Sequence, residues 1–427
     1  MKIMKIARHA RWGLADSALS SLTNFALGVL VARTVSPREF GAFGLVFAAY
    51  LLMLGISRSL NTGPLVVRFS GSPVEQWTVA TGAAVGAAVS IGVLAGAGIA
   101  IVGTMFGAPI GGGIIALGIT LPGLLLQDSW RHVFFANDRG DKAFFNDCIW
   151  AVVLFPVVGV MLALDRTSVF DFMMAWGASA TVAGLAGILQ SDIVPRVRHT
   201  LQWWGRHRDL GPRYLGEFIA VSGSNQLVMY GTGAVAGLGA AGGLRAGQIL
   251  LGPFNIVFEG IWLFSVPMQV KTLKQRPDRF VPISVVLSAV LAIAALLCGG
   301  AILLLPDTVG RELLGASWPI GRDVVPPLTV ALAGLGLIMG ATSGLRALGA
   351  AKRSLRVRII MSVAVVAGGL TGAAYAGAYG AAAGRAIALL AAAGIWWWQL
   401  IVSVREHELA AGSPAGAEED FLITGAE

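Results

Sequence analysis

The sequence predicts an all-α polytopic membrane protein, with about twelve transmembrane helices in two six-helix bundles. Three observations carry this. The 427-residue chain is 56% hydrophobic and only 13% charged, against about 25% charged residues in soluble domains. Charge-free runs such as GAAVGAAVSIGVLAGAGIAIVG, Gly82 to Gly103, recur from end to end, and that length crosses a bilayer core of about 30 Å. The longest basic loop, SDIVPRVRHTLQWWGRHRDLGPRYL, Ser191 to Leu215, falls midway with six apolar runs on either side.

In chain order the first six spans lie near 12–34, 40–62, 78–105, 109–135, 143–164 and 170–190. The second six lie near 215–236, 241–268, 281–305, 324–346, 357–377 and 381–402. They bound an N-terminal bundle (1–190), a basic cytoplasmic linker (191–214), a C-terminal bundle (215–402) and an acidic tail (403–427) whose composition reads as disordered. The start, MKIMKIARHAR, is basic, and the helix after it holds Asp16, Ser17, Ser20, Ser21 and Asn24. A cleaved signal needs a clean apolar stretch, so this reads as an uncleaved first span. Span 4 is polar at its end and span 7 is weak and Gly-rich, while Pro253 and Pro267 predict kinks in span 8.

Charge supports the count. Loops on the side of the N-terminus carry roughly four times as many Lys and Arg as the opposite loops, the sense of the positive-inside rule. Arg33, Arg38, Arg166, Arg245, Arg311 and Arg322 fall on the opposite side, and Arg58 and Arg385 stay inside helices. Both termini are therefore expected in the cytoplasm of a bacterium, with the chain spanning its inner membrane. The net charge of +8 reads as topology and attraction to anionic membrane lipid, with no nucleic-acid partner. Trp203 and Trp204 beside the linker arginines fit either a segment lying on the membrane surface or a solvated linker with interfacial tryptophans.

Several chemistries are disfavoured. Cys148 and Cys298 sit in apolar segments and give no disulfide framework. The five histidines form no metal-ligand pattern, and there is no phosphate-binding GxxxxGK[ST] loop. The longest outer loop, PDTVGRELLGASWPIGRD, Pro306 to Asp323, is too short for a catalytic domain. No metal, no cofactor and no enzyme activity are expected. Ionisable groups within the bundle then become the candidates, because such groups usually mark a substrate or ion path.

Arg58 lies near the end of GLVFAAYLLMLGISRSL, where burial in hydrocarbon costs about 3 kcal/mol. It either faces a cavity or snorkels to headgroups about 6 Å away. Glu259, about 13 Å from the inner end of span 8, is either an ion-coupling carboxylate for a proton or Na+ or an ion-pair partner of Arg58 or Arg245. Asp16 and Glu217 open spans 1 and 7; they are cavity carboxylates or simply suit helix N-termini. Asn24 and Asn225 are cavity candidates, and Asn24 also suits interhelical bonding. Asp128 and Arg131, one turn apart, form a local pair or an inner gate. Six spans per half imply repeats related by an axis along the membrane normal. Adding 201 aligns Asp16 with Glu217, Asn24 with Asn225, Gly41 with Gly242 and Arg58 with Glu259, while most other positions do not match.

LVARTVSPREFGAFGLVFAAY, Leu30 to Tyr50, resembles the first hairpin of polysaccharide (O-antigen-type) flippases of the multidrug/oligosaccharidyl-lipid/polysaccharide exporter superfamily. GLLLQDSWRHVFFANDRGDKAFFND, Gly123 to Asp147, and GATSGLRALGAAKRSLRVR, Gly340 to Arg358, resemble two further elbows of that family. The resemblance implies a MATE-like fold, two six-helix bundles facing each other across a central cavity. It implies a transporter that flips a lipid-linked saccharide for cell-surface polysaccharide biosynthesis, alongside other polysaccharide assembly proteins. Arg58 matches the cavity arginines of related flippases, which suit the bidentate recognition of a pyrophosphate. A lipid II or multidrug exporter is the alternative of the same fold, and a membrane-embedded polysaccharide polymerase or ligase the alternative of another class.

Overall fold

The structure, a computed structural model, describes the backbone of residues 2–411. It describes the side chains of these residues except 2–10, 220, 221, 256, 259, 263, 351, 410 and 411. The described chain is helical, without strands: α1 (Lys2–Thr34), α2 (Pro37–Ser57), α3 (Gly63–Phe69), α4 (Val74–Gly103), α5 (Ile110–Ala136), α6 (Gly140–Ala163), α7 (Val169–Ser191), α8 (Thr200–Arg206), α9 (Gly211–Phe218), α10 (Ser224–Ala236), α11 (Leu238–Leu250), α12 (Gly252–Gln275), α13 (Phe280–Leu303), α14 (Asp307–Leu314), α15 (Trp318–Ala347) and α16 (Ala351–Ala411). The tail expected to be disordered from 403 begins as helix as far as Ala411; its remainder lies outside the described residues.

Nine described helical stretches are long and apolar enough to cross a membrane, and α11 with α12 makes a tenth, bent by 54°. The bend falls at Leu251, just ahead of Pro253, near the first kink expected in span 8. One of the nine runs from Lys352 to Leu409, 58 residues, or about 87 Å by helical rise, nearly three bilayer cores. It breaks at Ala376 and Gly377, where Gly377 takes φ 55°, a conformation glycine adopts at no steric cost. The two arms of α16 pack back on themselves so closely that a Cβ at Gly384 would lie 1.8 Å from the Gly368 carbonyl oxygen. They are two spans. The stretch from α9 to α10, expected as the weak seventh span, is not among those long and apolar enough to cross a membrane.

Local chemistry starts the helices. Ser36 Oγ accepts from the Glu39 amide (3.3 Å) and Glu39 Oε2 accepts from the Ser36 amide (2.9 Å), with Pro37 opening α2. Ser168 and Asp171 repeat this at the start of α7. Between α2 and α3, Arg58–Thr62 forms a π-helical turn just before Pro64, whose ring has no N–H to continue the α ladder.

Helices α1 to α7 form one bundle and α10 to α16 the other. The broadest contact between bundles is α2 against α11. It lies at the end of the molecule opposite the start of α1, the far face, where both helices begin. The linker packs against the helices that precede it. It docks on the first bundle: the Arg196 amide donates to the Gly82 carbonyl (2.7 Å) and Trp203 Nε1 donates to the Leu60 carbonyl (3.2 Å). Trp204 Nε1 donates to Asn61 Oδ1 (3.0 Å), and Trp203 is buried. Helix α9 follows the linker at Gly211 and packs against the π-helical turn after α2.

Candidate binding cavity

A central cavity of about 370 Å³ lies between the bundles, within the range of small-molecule sites. Its walls come from α2, α10, α11, α12, α15 and the second arm of α16. Two arginines face it. The Arg245 guanidinium lies 4.4 Å from the centre of the Phe47 ring, a cation–π contact. Its stem lies on Gly44, where a Cβ would meet Arg245 Cγ at 3.2 Å. Arg385 donates from Nη2 to Asn225 Oδ1 at 3.0 Å. The Nε of both arginines is buried without a hydrogen-bond partner, and among the described residues neither arginine has an ion-pair partner. No described carboxylate lines the cavity; amides do, from Asn225, Gln226, Gln248 and Asn255.

Of the residues expected in the cavity, Asn225 is there. Arg58 is not among the residues that line the cavity: it forks onto Asp128, with Nη2 to Oδ1 at 2.6 Å and Nε to Oδ2 at 3.0 Å. His132 Nδ1 lies 3.6 Å from the same carboxylate. Arg131 turns instead to Asp16, at 2.6 Å from Nη2, and approaches Asp147 at 3.8 Å. The expected pairing of Asp128 with Arg131 is therefore replaced by two ion pairs to other helices. Asp16 is buried and sits well inside α1, which begins at Lys2, so the helix N-terminus does not account for it. Asn24 donates to the Ser20 carbonyl (2.9 Å) and lines a small pocket with Asp147 and Trp150. Glu217 is exposed on α9. The side chain of Glu259 lies outside the described residues.

Three functional candidates escaped the sequence reading. Arg245 was counted with the far-face charges and given only a pairing with Glu259; it lies two turns inside α11. The offset of 201 carried the signal, since it maps the start of α2 at Pro37 onto Leu238. Arg385 was placed inside a helix but given no role, although its span holds no carboxylate. Asp147 accepts from Gln127 Nε2 (2.7 Å) and is buried beside Arg131. The first bundle thus holds three buried carboxylates, Asp16, Asp128 and Asp147, against two arginines. Among the described residues no group of His, Cys, Asp and Glu is placed to hold a metal ion, and both cysteines are free.

No protein-family model matches the chain, and no curated protein matches its sequence. Solved structures share the fold. The chain superposes on the inward-facing conformation of a multidrug resistance MATE family transporter of the MOP superfamily with TM-score 0.74 and 12% identity, covering 92% of this chain and 96% of that one. On the outward-facing conformation of such a transporter the TM-score is 0.62, with 13% identity and 94% and 96% covered. The lipid II flippase MurJ in an inward closed conformation gives 0.70, with 12% identity and 94% and 90% covered. The protein is a multi-pass, all-helical membrane protein with the MATE-like and MurJ-like fold.

Proposed function

We propose that this protein is a transporter, not an enzyme, and that it flips an anionic lipid-linked saccharide of the polyprenyl-pyrophosphate type by alternating access. One observation carries the reading: two guanidiniums with unused buried donors face one central cavity whose described lining holds no acid. Buried donors without partners call for an acceptor. A pyrophosphate offers several, in the planar fork geometry arginine prefers. The cavity amides suit the hydroxyls of a sugar. A cationic drug would meet like charge here, so the multidrug alternative loses support, while lipid II keeps its place because it carries the same pyrophosphate. A polymerase or ligase would need catalytic acids or bases in the cavity, and the described lining offers none.

The cavity is sealed at the far face by α2 against α11, and the likeness is greater to the inward-facing structure than to the outward-facing one; both support an inward-facing state. With the termini cytoplasmic, the saccharide head enters from the cytoplasmic side of the inner membrane while the lipid stays in the bilayer. The surplus carboxylate around Asp16, Arg131 and Asp147 is a candidate for coupling to a proton or Na+, beside Glu259. The test is flipping of a fluorescent polyprenyl-pyrophosphate saccharide in proteoliposomes. Arg385→Met and Arg245→Met should each abolish flipping in protein that still purifies as a folded species. Normal flipping by both variants, or efflux of a cationic dye in place of flipping, would defeat the reading.

A further inference from the structure

A second cavity, of about 550 Å³, lies outside the central path, between the α3–α4 elbow and the docked linker. Its two sides differ in chemistry. Arg68, Arg196, Arg206 and His199 supply one side, and Glu75 is the only carboxylate in its described lining. Arg68 is shared with Asp209 at 2.5 Å, while Arg196 and Arg206 have no ion-pair partner among the described residues. His207 adds little charge, because burial pushes its imidazole below the usual histidine range. The other side is apolar: Val79, Ala80 and Ala83 of α4, with Trp203. The linker itself exposes Val194, Val197 and Leu201, aliphatic groups that a water-facing basic loop has no reason to display and a bilayer surface would cover.

The cavity is built by backbone. Gly82 and Gly86 let the linker lie directly on α4; a Cβ at Gly86 would fall 2.4 Å from the Arg196 carbonyl carbon. The linker thereby brings both Arg196 and Arg206 into the lining of this cavity.

We infer that this cavity binds an anionic phospholipid, with the phosphate among Arg196, Arg206 and Arg68 and the acyl chains against the α4 wall. A basic pocket beside transmembrane helices selects anionic headgroups. The apolar half is what distinguishes the lipid from a free phosphate, which would use only the arginines. The bound lipid ties the linker to the first bundle beside the contacts that Trp203 and Trp204 make to Leu60 and Asn61, in the π-helical turn that begins at Arg58.

The test uses the full-length protein in neutral detergent, titrated with phosphatidylglycerol, phosphatidylcholine or inorganic phosphate. Binding is read by native mass spectrometry, and linker exposure by tryptic cleavage at Arg198 and Arg208. Phosphatidylglycerol should bind saturably and slow cleavage; phosphatidylcholine and phosphate should do neither. Arg196→Gln and Arg206→Gln, both at exposed positions, should each weaken phosphatidylglycerol binding about tenfold. Gly86→Leu should remove it by lifting the linker. Arg385→Met, in the central cavity, should leave it unchanged, which separates this site from the transport site. Equal binding of phosphatidylcholine, equal protection by inorganic phosphate, or unaltered binding in both arginine variants would overturn the assignment.

Discussion

Gly41 on α2 and Gly242 on α11 face each other across the seam, and each rests on the first turn of the other's helix. A Cβ on Gly41 would lie 1.8 Å from the Leu238 carbonyl oxygen, and one on Gly242 would lie 2.2 Å from the Pro37 carbonyl oxygen. Both relationships obey one offset: 41 and 37 become 242 and 238 on adding 201. The contact is therefore self-complementary, as at a two-fold axis, and that axis passes between the glycines at the far face.

Filling this contact should open it. Overpacking costs about 1–3 kcal/mol, enough to change a two-state population several-fold or more. Gly41→Ala and Gly242→Ala should each make a cysteine at Ala48 in the cavity reactive to an impermeant maleimide from the far face, in a protein with Cys148 and Cys298 replaced. The double variant should add little, because both side chains press on one contact. Unchanged labelling in both single variants would remove this seam as the seal.

The Arg58–Asp128 pair should behave as a structural unit. Asp128 is buried, and losing its arginine leaves a charge without its main partner, at a cost of up to about 3 kcal/mol; the figure is an upper bound because the Arg58 side chain is 38% exposed. Arg58→Met or Asp128→Asn should lower the melting temperature, and Arg58→Met with Asp128→Leu should recover most of it. Melting curves of the four proteins measure the coupling. Additive losses would mean that the two residues act apart.

Topology is tested by reporters. Fusions at Asp138 and Pro414 should be active only in their cytoplasmic form, and one at Arg166 only in its exported form. Exported activity at Pro414 would contradict both the crossing count and the charge argument.

Much of this architecture was legible because hydropathy and charge are local properties. Long apolar runs give most of the spans, and loop charge gives the sidedness that the reporter fusions test. The ion pairs were not legible. Arg58 meets Asp128, and Arg131 meets Asp16, through packing of α1, α2 and α5 that no spacing along the chain encodes. Arg131 stood one turn from Asp128, and sequence spacing favoured that local pair over the distant one. Arg245 was counted only as a far-face charge, because nothing in spacing shows that α11 packs on α2 through Gly242 and turns Arg245 toward the cavity. Asn225 was found through its alignment with Asn24, although only Asn225 reaches the central cavity.

The central claim is that Arg245 and Arg385 hold an anionic head between the bundles. Equilibrium binding of a short-chain polyprenyl-pyrophosphate saccharide to the purified protein tests it most directly, with the dephosphorylated lipid as control. The wild type should bind the pyrophosphate and not the control. Arg245→Met and Arg385→Met should each weaken binding by about ten- to a hundredfold, the loss of charge-assisted bonds worth about 1.5–3 kcal/mol. Equal affinity for the pyrophosphate and the control, or full affinity in the double variant, would contradict the account.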